Sequence, residues 1–240
     1  YSNQGINNLF MLQGKSDLHR RWWLAKRFSI YDAKFVSGEY KSQAIELKCQ
    51  NGTEPGLQMK VTAGYPLDYG YGINNLPRKS GVTLNVGEST TFVTEETVNL
   101  GDPIRIYGAP NIAELDISQM ADRLAVVTIA NVYAPALGTK LRKLIIGNPN
   151  KQNLEVSEIS GLTNATLLEY LDIRNMKGMT SLNLTHQKAI KYVDATGSSV
   201  ASIEFAKGAT LETLKLPTAI QTLVLDQLPY LSDLTYENNL

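Results

Sequence analysis

The sequence has little of what disulfide-bonded and metal-binding proteins depend on. Its 240 residues include one cysteine, Cys49, and two histidines, His19 and His186. A single cysteine excludes an intramolecular disulfide and a cysteine-based metal site. Neither histidine has a partner at the spacing of metal ligands. We therefore expect no metal and no cofactor, and we interpret both histidines as surface residues.

A charge bias and long apolar runs are absent too. Lys and Arg together number 23, as do Asp and Glu, which argues against nucleic acid as the primary partner. No stretch approaches the roughly 18 apolar residues that a spanning helix needs, so we expect no membrane span. The chain begins with Tyr1 rather than methionine, and we expect it to be a piece of a longer polypeptide.

Common catalytic motifs are missing as well. The sequence has no phosphate-binding Gly-x-x-x-x-Gly-Lys loop and no Gly-x-Ser-x-Gly nucleophile elbow. Glu95 and Glu96 are adjacent, and neighbours in a strand point to opposite faces, so they make a poor acid/base pair. We predict that the chain is not an enzyme.

Residues 1–40 are predicted to contain a lead-in and one amphipathic helix. The helix has an apolar stripe at helical spacing and a basic opposite face. We select as candidate docking residues of this helix Arg20, Arg21, Trp22 and Arg27. The alternative is a solvated helix face whose aromatic side chains pack on the next domain.

Residues 41–107 are predicted to form a small antiparallel β domain. Apolar and polar residues alternate in four stretches that turns containing Gly or Pro separate. The stretches cover residues 45–49, 57–61, 82–86 and 104–106. Residues 65–77 are aromatic and rich in glycine, and we interpret them as a loop. Such a loop either binds a sugar or a protein partner, or is simply a long hairpin connection.

Residues 108–240 carry an internal repeat of the form apolar-x-x-apolar-x-apolar. Regular copies start at residues 168, 179, 190, 200, 211, 220 and 231, and looser copies start at 112, 124 and 141. Every second regular copy follows after about 21 residues, which is within the range of leucine-rich repeats. The pattern predicts a solenoid whose turns each contribute two short strands with their apolar positions inward. Residues 148–164 break the period and are predicted to be an insertion.

The outward positions of this repeat supply a candidate binding surface. Tyr170 and Tyr192 occupy the same position on consecutive predicted turns, and tyrosine is enriched at interface hot spots. The predicted protein-binding residues are Tyr170, Asp172, Tyr192, Asp194, Thr213 and Lys215. The alternative is an ordinary solvated sheet face. The predicted fold is thus mainly β: an N-terminal helix, a small antiparallel β domain and a leucine-rich-repeat-like β solenoid.

Two resemblances bear on function. The repeats resemble leucine-rich repeats of the Bacteroidota surface-protein type, most closely over residues 211–226, where Pro217 follows the first strand. Residues 19–35 are similar to helices in virion proteins of crAss-like bacteriophages, in particular the tail muzzle proteins. The second resemblance implies a structural protein of the virion tail that assembles with neighbouring subunits as a homo-oligomer. The alternative is a Bacteroidota cell-surface or secreted adhesin or glycan-binding module, whose partners are other surface proteins.

Overall fold

A computed structural model describes residues 44–50, 52–74, 76–129 and 140–236. These residues are mainly β, as predicted. The predicted helix of residues 1–40, with Arg20, Arg21, Trp22 and Arg27, lies outside the described residues, as does His19. The strands are β1 (Ile45–Cys49), β2 (Gln58–Ala63), β3 (Leu67–Ile73), β4 (Leu76–Leu84), β5 (Ser89–Val93), β6 (Ile104–Tyr107), β7 (Ile112–Asp116), β8 (Leu124–Thr128), β9 (Lys143–Ile145), β10 (Glu158–Ser160), β11 (Tyr170–Asp172), β12 (Ser181–Leu184), β13 (Tyr192–Asp194), β14 (Ser202–Phe205), β15 (Thr213–Leu216), β16 (Thr222–Leu223) and β17 (Asp233–Tyr236). Short 3-10 helices cover Ala109–Asn111, Ser118–Arg123 and Leu162–Asn164.

These strands form three sheets. The largest has the order β17-β15-β13-β11-β9-β7-β2-β5, the second has the order β10-β8-β1-β6-β3-β4, and the third has the order β12-β14-β16. Pairing is antiparallel among β1 to β6, between β1 and β8, and between β2 and β7. From β7 onward, strands pair only in parallel with one another.

The antiparallel strands and the repeat strands share both large sheets. Val61 of β2 is paired with Leu115 of β7, and Leu47 of β1 is paired with Val127 of β8. All four side chains are fully buried in a single hydrophobic core. Sheet hydrogen bonds therefore cross the domain boundary that the sequence predicts at residue 107.

Strands β1, β2 and β6 confirm the alternating stretches of the sequence, but the segment between them differs from the prediction. Strand β3 runs through residues 65–77, which were predicted to be a loop. The glycines of this segment were interpreted as loop residues. Gly70 instead serves close packing within the strand, because a Cβ atom there would collide with the Tyr107 ring. Val86, predicted to be inward, is 63% exposed in the turn after β4. Strand β5 was not predicted at all.

A first ladder of parallel strands consists of β7, β9, β11, β13, β15 and β17. In-register pairing aligns one inward position across neighbouring strands. The side chains at this position are fully buried as far as β15, and they are Leu115, Leu144, Leu171, Val193 and Leu214. The inward positions of the predicted repeat are therefore confirmed for these strands. Each strand buries its apolar side chains against those of its neighbours.

A second ladder of parallel strands alternates with the first along the chain. It consists of β8 paired with β10, and of β12, β14 and β16. Its inward side chains are also buried, including Val127, Ile159, Leu182 and Ile203. Strand β10 lies inside residues 148–164, so the stretch predicted to be an insertion contributes a strand to this ladder.

Two asparagines after first-ladder strands bind turn backbone. Asn148 Nδ2 donates to Ser118 O at 3.0 Å. Asn175 Nδ2 donates to Asn148 O at 2.9 Å and to Lys151 O at 3.0 Å. Both side chains are buried, so these bonds satisfy carbonyl groups that water does not reach.

The last strand of the first ladder departs from the predicted burial. Leu234 and Tyr236 of β17 are 46% and 49% exposed, whereas the equivalent Leu214 and Leu216 of β15 are 0% and 4% exposed. The prediction that Leu234 and Tyr236 point into a core is therefore wrong. Among the described residues, no further strand covers β17.

Candidate functional site

The six residues that the sequence predicts for protein binding lie together on β11, β13 and β15. Tyr170 is paired with Tyr192, and Tyr192 with Thr213. Asp172 is paired with Asp194, and Asp194 with Lys215. In-register parallel pairing places residues of one repeat position side by side on neighbouring strands. The six residues therefore form two adjacent rows on the outward side of the first ladder.

The two tyrosines form a tight aromatic stack. The Tyr170 and Tyr192 ring centroids are 4.4 Å apart, and the rings are inclined by 1°. Both side chains are half-buried. An aromatic pair of this kind contributes about 0.5 to 1.5 kcal/mol beyond its buried area. The stack therefore holds the two side chains in one arrangement.

Two lysines complete the stack at its ends. Lys143 Nζ lies 4.9 Å from the Tyr170 centroid, and Lys215 Nζ lies 5.4 Å from the Tyr192 centroid. These are cation–π distances. The hydrogen bond between Lys215 and Tyr192 is the main cause that raises the pKa of Lys215. Burial is the main cause that raises the pKa of Tyr170. The Tyr170 hydroxyl and the Lys215 ammonium therefore both keep their protons at neutral pH.

The aspartates of the second row are buried, which corrects the prediction that they face outward into solvent. Asp172 and Asp194 are 1% and 2% exposed. Asp172 Oδ1 accepts the backbone N–H of Arg174 at 3.1 Å, and Asp194 Oδ1 accepts that of Thr196 at 3.1 Å. Each aspartate therefore bonds the backbone two residues on, in an Asx turn that ends its strand. The main role of the two aspartates is therefore to stabilise these turns, and contact with a partner is secondary.

Cations and a hydroxyl compensate the buried carboxylates. Arg174 Nη2 donates to Asp172 Oδ2 at 2.5 Å, and Arg174 Nε lies 3.6 Å from Asp194 Oδ2. Tyr192 Oη donates to the same Asp194 Oδ2 at 3.1 Å, and Lys215 Nζ lies 3.6 Å from it. Burial raises the pKa of Asp172, and the hydrogen bonds from Arg174 act in the opposite direction. A buried charge is tolerated when it is paired and hydrogen-bonded in this way.

A third row of alternating charge borders the tyrosines. Glu169 lies between Arg142 and Lys191, with Lys191 Nζ 2.8 Å from Glu169 Oε2 and Arg142 Nη1 bonded to Oε1. The hydrogen bonds from Lys191 and then Arg142 lower the pKa of Glu169, and the bond to Glu169 raises the pKa of Lys191. Glu212 continues the row on β15's side, where its backbone N–H binds Lys191 O.

Sequence reasoning missed this third row and Lys143 of the stack, whereas Lys215 was among the predicted residues. The signal was present, because each charged residue immediately precedes the outward residue of a repeat. Arg142, Glu169, Lys191 and Glu212 precede Lys143, Tyr170, Tyr192 and Thr213 in turn. An alternation of sign at one repeat position predicts ion pairs between consecutive turns once the register is known.

In the second candidate, the aromatic segment of residues 65–77, two of the tyrosines are buried. Tyr69 and Tyr71 are 0% and 4% exposed and lie in the core. Their hydroxyls donate to backbone carbonyls of Tyr65, Asn111 and Val93 at 2.9 to 3.0 Å. These two buried rings are therefore not available to stack on a ligand. Tyr65 is 52% exposed, and Lys140 Nζ lies 4.5 Å from its centroid.

Other candidate chemistry is limited in the part of the chain that the structure describes. There, His, Cys, Asp and Glu side chains form no group of three or more that is placed to hold a metal ion. His186 is exposed beside Thr185. The described residues also include no helix that is both long and apolar enough to cross a membrane. No protein-family model, no curated protein and no solved structure matches this chain.

Proposed function

We propose that the stacked turns from β7 to β17 are a leucine-rich-repeat-like solenoid that serves as a non-enzymatic, protein-binding structural component. Its partners are neighbouring subunits, including further copies of this chain. The in-register parallel ladders and the roughly 21-residue spacing support the solenoid. The outward side of the first ladder is the proposed docking surface.

The Tyr170–Tyr192 stack is the observation that carries this proposal. Interfaces gain affinity when their anchor side chains are ordered before binding, because less conformational entropy is lost on association. Here the two rings are held by each other, by two lysines and by the bond from Tyr192 to Asp194. Tyrosine is also among the residues enriched at interface hot spots. A pre-formed tyrosine pair is thus suited to anchor a protein partner.

The occupied ring faces favour a protein over a sugar at this surface. Tyr170 lies between Lys143 and Tyr192, and Tyr192 lies between Tyr170 and Lys215. A sugar that stacks on an aromatic ring needs an open ring face, whereas a protein side chain can pack on ring edges and bond the hydroxyls. The stack presents edges and hydroxyls to a partner.

We propose that the chain works in the tail of a phage virion, where it forms part of a muzzle-like assembly. The support is the similarity of residues 19–35 to helices of crAss-like phage proteins. A Bacteroidota cell-surface or secreted binding module is the second candidate, supported by the repeat pattern of residues 211–226. The genes beside the full-length gene separate the two. Capsid and portal genes support the virion, and a lipoprotein signal supports the cell surface.

Self-association of the 240-residue chain tests the docking surface. Light scattering over a concentration series gives the dissociation constant of the assembly. Changing Tyr170→Ala and Tyr192→Ala together should raise that constant about tenfold or more, because hot-spot side chains are lost. The matched control is the in-register pair Ser181→Ala and Ser202→Ala on the second ladder, which should leave it unchanged.

Circular dichroism melting confirms that the variants stay folded. Wild-type protein that remains monomeric over the whole series contradicts docking between copies. Equal association of the tyrosine variant and the wild type contradicts the choice of surface.

A further inference from the structure

The two ladders end in a turn whose apolar side chains are exposed. Leu234 of β17 is exposed, whereas Leu214, its neighbour on β15, is buried. The second ladder changes in the same way, because Phe205 is 8% exposed and Leu225, at the same repeat position, is 38% exposed. Each earlier strand is covered by the strand of the next turn, and the described residues include no strand beyond β16 or β17.

Exposed apolar side chains are concentrated on this turn. In the described part of the chain, eleven large apolar side chains are exposed, and six of them are spread over residues 65–167. The other five lie close together, and we call them the open end: Val224, Leu225, Tyr230, Leu234 and Tyr236. One turn of a repeat array cannot bury its apolar side alone, so terminal turns are usually covered by a cap. The open end therefore indicates a cover with an apolar face.

The charge around the open end is negative. Residues 217–236 contain Asp226 and Asp233, which are both exposed. The same residues contain no Lys, Arg or His. Complementary charge favours one partner over others at such a surface. A cover that is both apolar and basic therefore fits this end of the ladders.

Residues 16–38 combine these two properties. They lie outside the described residues, and their sequence predicts an amphipathic helix. Leu24, Phe28, Tyr31 and Phe35 follow one another at i, i+4, i+7 and i+11, which places them in one stripe. The segment contains five Lys and Arg residues and two Asp residues. An apolar stripe flanked by cations matches an apolar surface flanked by aspartates.

The segment is long enough to reach the open end of its own chain. Strand β1 lies beside β8 as β2 lies beside β7, and six strand spacings, or roughly 29 Å, separate β2 from β17. Residues 39–43 span at most about 20 Å, and a helix of residues 16–38 would add about 34 Å. The two lengths together exceed the distance from β1 to the last turn.

We infer that residues 16–38 cover the open end of the ladders in the same chain and act as its cap. The apolar stripe packs on the open end, and the basic side chains of the segment pair with Asp226 and Asp233. This gives a partner within the chain to the helix that carries Arg20, Arg21 and Arg27. The cap uses no residue of the tyrosine stack, so it goes beyond the proposed docking surface and does not depend on it.

Tryptophan fluorescence tests the cap, because Trp22 and Trp23 are the only tryptophans of the chain. The full chain is studied at concentrations where light scattering shows a monomer. A covered open end places indole rings against apolar side chains, so their emission should lie at shorter wavelength than that of indoles in water. Emission at the wavelength of water-exposed tryptophan overturns the inference. A shift that appears only on association also overturns it, because the segment then covers a second copy.

Trypsin cleavage within residues 16–38 measures how often the cap opens, since the cleavage rate follows the open population when opening is fast. Changing Val224→Ser and Leu234→Ser together should raise this rate about tenfold, because apolar contact area at the open end is lost. The matched control is Leu76→Ser with Val86→Ser, which removes a similarly exposed leucine and valine from β4 and the turn after it. The control should leave the rate unchanged.

A second pair of variants tests the charges. Asp226→Asn with Asp233→Asn should raise the cleavage rate about threefold at low salt, and the difference should fade at high salt. Glu54→Gln with Glu158→Gln, which are exposed elsewhere, should have no effect. Circular dichroism melting confirms that all variants stay folded. Equal cleavage of the wild type and of both open-end variants overturns the inference, whatever the outcome for the tyrosine stack.

Discussion

The two ladders share one repeat and one core, yet they differ in continuity and in outward chemistry. The first ladder is unbroken from β7 to β17, whereas the second is interrupted between β10 and β12. Outward from the first ladder lie stacked tyrosines and paired charges. Outward from the second lie Ser181, Ser202 and Thr222 in one register row, beside a polar cleft between β10 and β12.

This difference separates what the repeat specifies from what individual residues add. The inward leucines are buried to the same degree on both ladders: Leu171 is 0% exposed and Leu182 is 3% exposed. The repeat therefore explains the core of both ladders equally well. The two ladders are distinguished by outward residues and by the break in parallel pairing between β10 and β12. Proposals about binding therefore rest on surface features and not on the repeat.

Matched core truncations should show the largest difference between the ladders. Leu171→Ala should lower the free energy of unfolding by about 3 to 5 kcal/mol, because Leu171 packs between two paired strands, β9 and β13. Leu182→Ala should cost about 2 to 3 kcal/mol, since the cleft beside it lets the surroundings close on the cavity. Urea unfolding measures both values. An equal cost for the two substitutions would show that the interruption has no energetic consequence.

Matched turn substitutions should show a smaller difference. Asp194→Ala should lower the free energy of unfolding by about 1 to 3 kcal/mol, because it leaves the Thr196 N–H and the Tyr192 hydroxyl without their buried acceptor. Asn183→Ala on the second ladder removes a similar bond to Thr185 in an exposed turn. Water replaces that bond, so the expected cost is below about 0.5 kcal/mol. Thermal unfolding of both variants measures the two costs. A larger loss of stability for Asn183→Ala than for Asp194→Ala would contradict the structural role assigned to the buried aspartate.

The charge row of the first ladder should show the smallest effect. Glu169→Gln should lower the free energy of unfolding by about 0.5 to 1 kcal/mol at neutral pH and low salt. The pKa of Glu169 is lowered in the folded chain. Its contribution is therefore complete above the ordinary glutamate pKa and disappears as the pH falls through the lowered one.

The matched control for this row is Glu204→Gln on the exposed side of β14. Denaturant unfolding at neutral and acidic pH should show no pH-dependent difference between this control and the wild type. A Glu169 effect that persists in acid would mean that the ion pairs are not its source.

The sequence was sufficient to predict the inward positions of the ladders, because burial imposes a periodic pattern. Leu168, Leu171 and Ile173 are all fully buried, as the repeat predicts. Strand β3 was missed for a physical reason, since its buried tyrosines carry hydroxyls that bond backbone carbonyls. Such rings satisfy both packing and polarity, and single-sequence patterns do not distinguish them from rings in an exposed loop.

The candidate surface was predicted in part. In-register pairing put Tyr170 beside Tyr192, as the equal repeat positions indicated. The burial of Asp172 and Asp194 did not follow from alternation, because it depends on Asx turns and on Arg174 reaching both carboxylates. The break beside β10 was also beyond the pattern, since residues 148–164 lack the repeat that would set a register.

Lysine footprinting of the assembled chain tests the docking surface most directly. An amine-reactive acylating reagent is applied to the full chain at low concentration and at a concentration where it associates. We predict that Lys143, Lys191 and Lys215 of the first ladder lose reactivity on association, whereas the exposed Lys207 beyond β14 keeps it. Unchanged labelling of the three first-ladder lysines, or protection of Lys207 in their place, would contradict docking through the tyrosine stack.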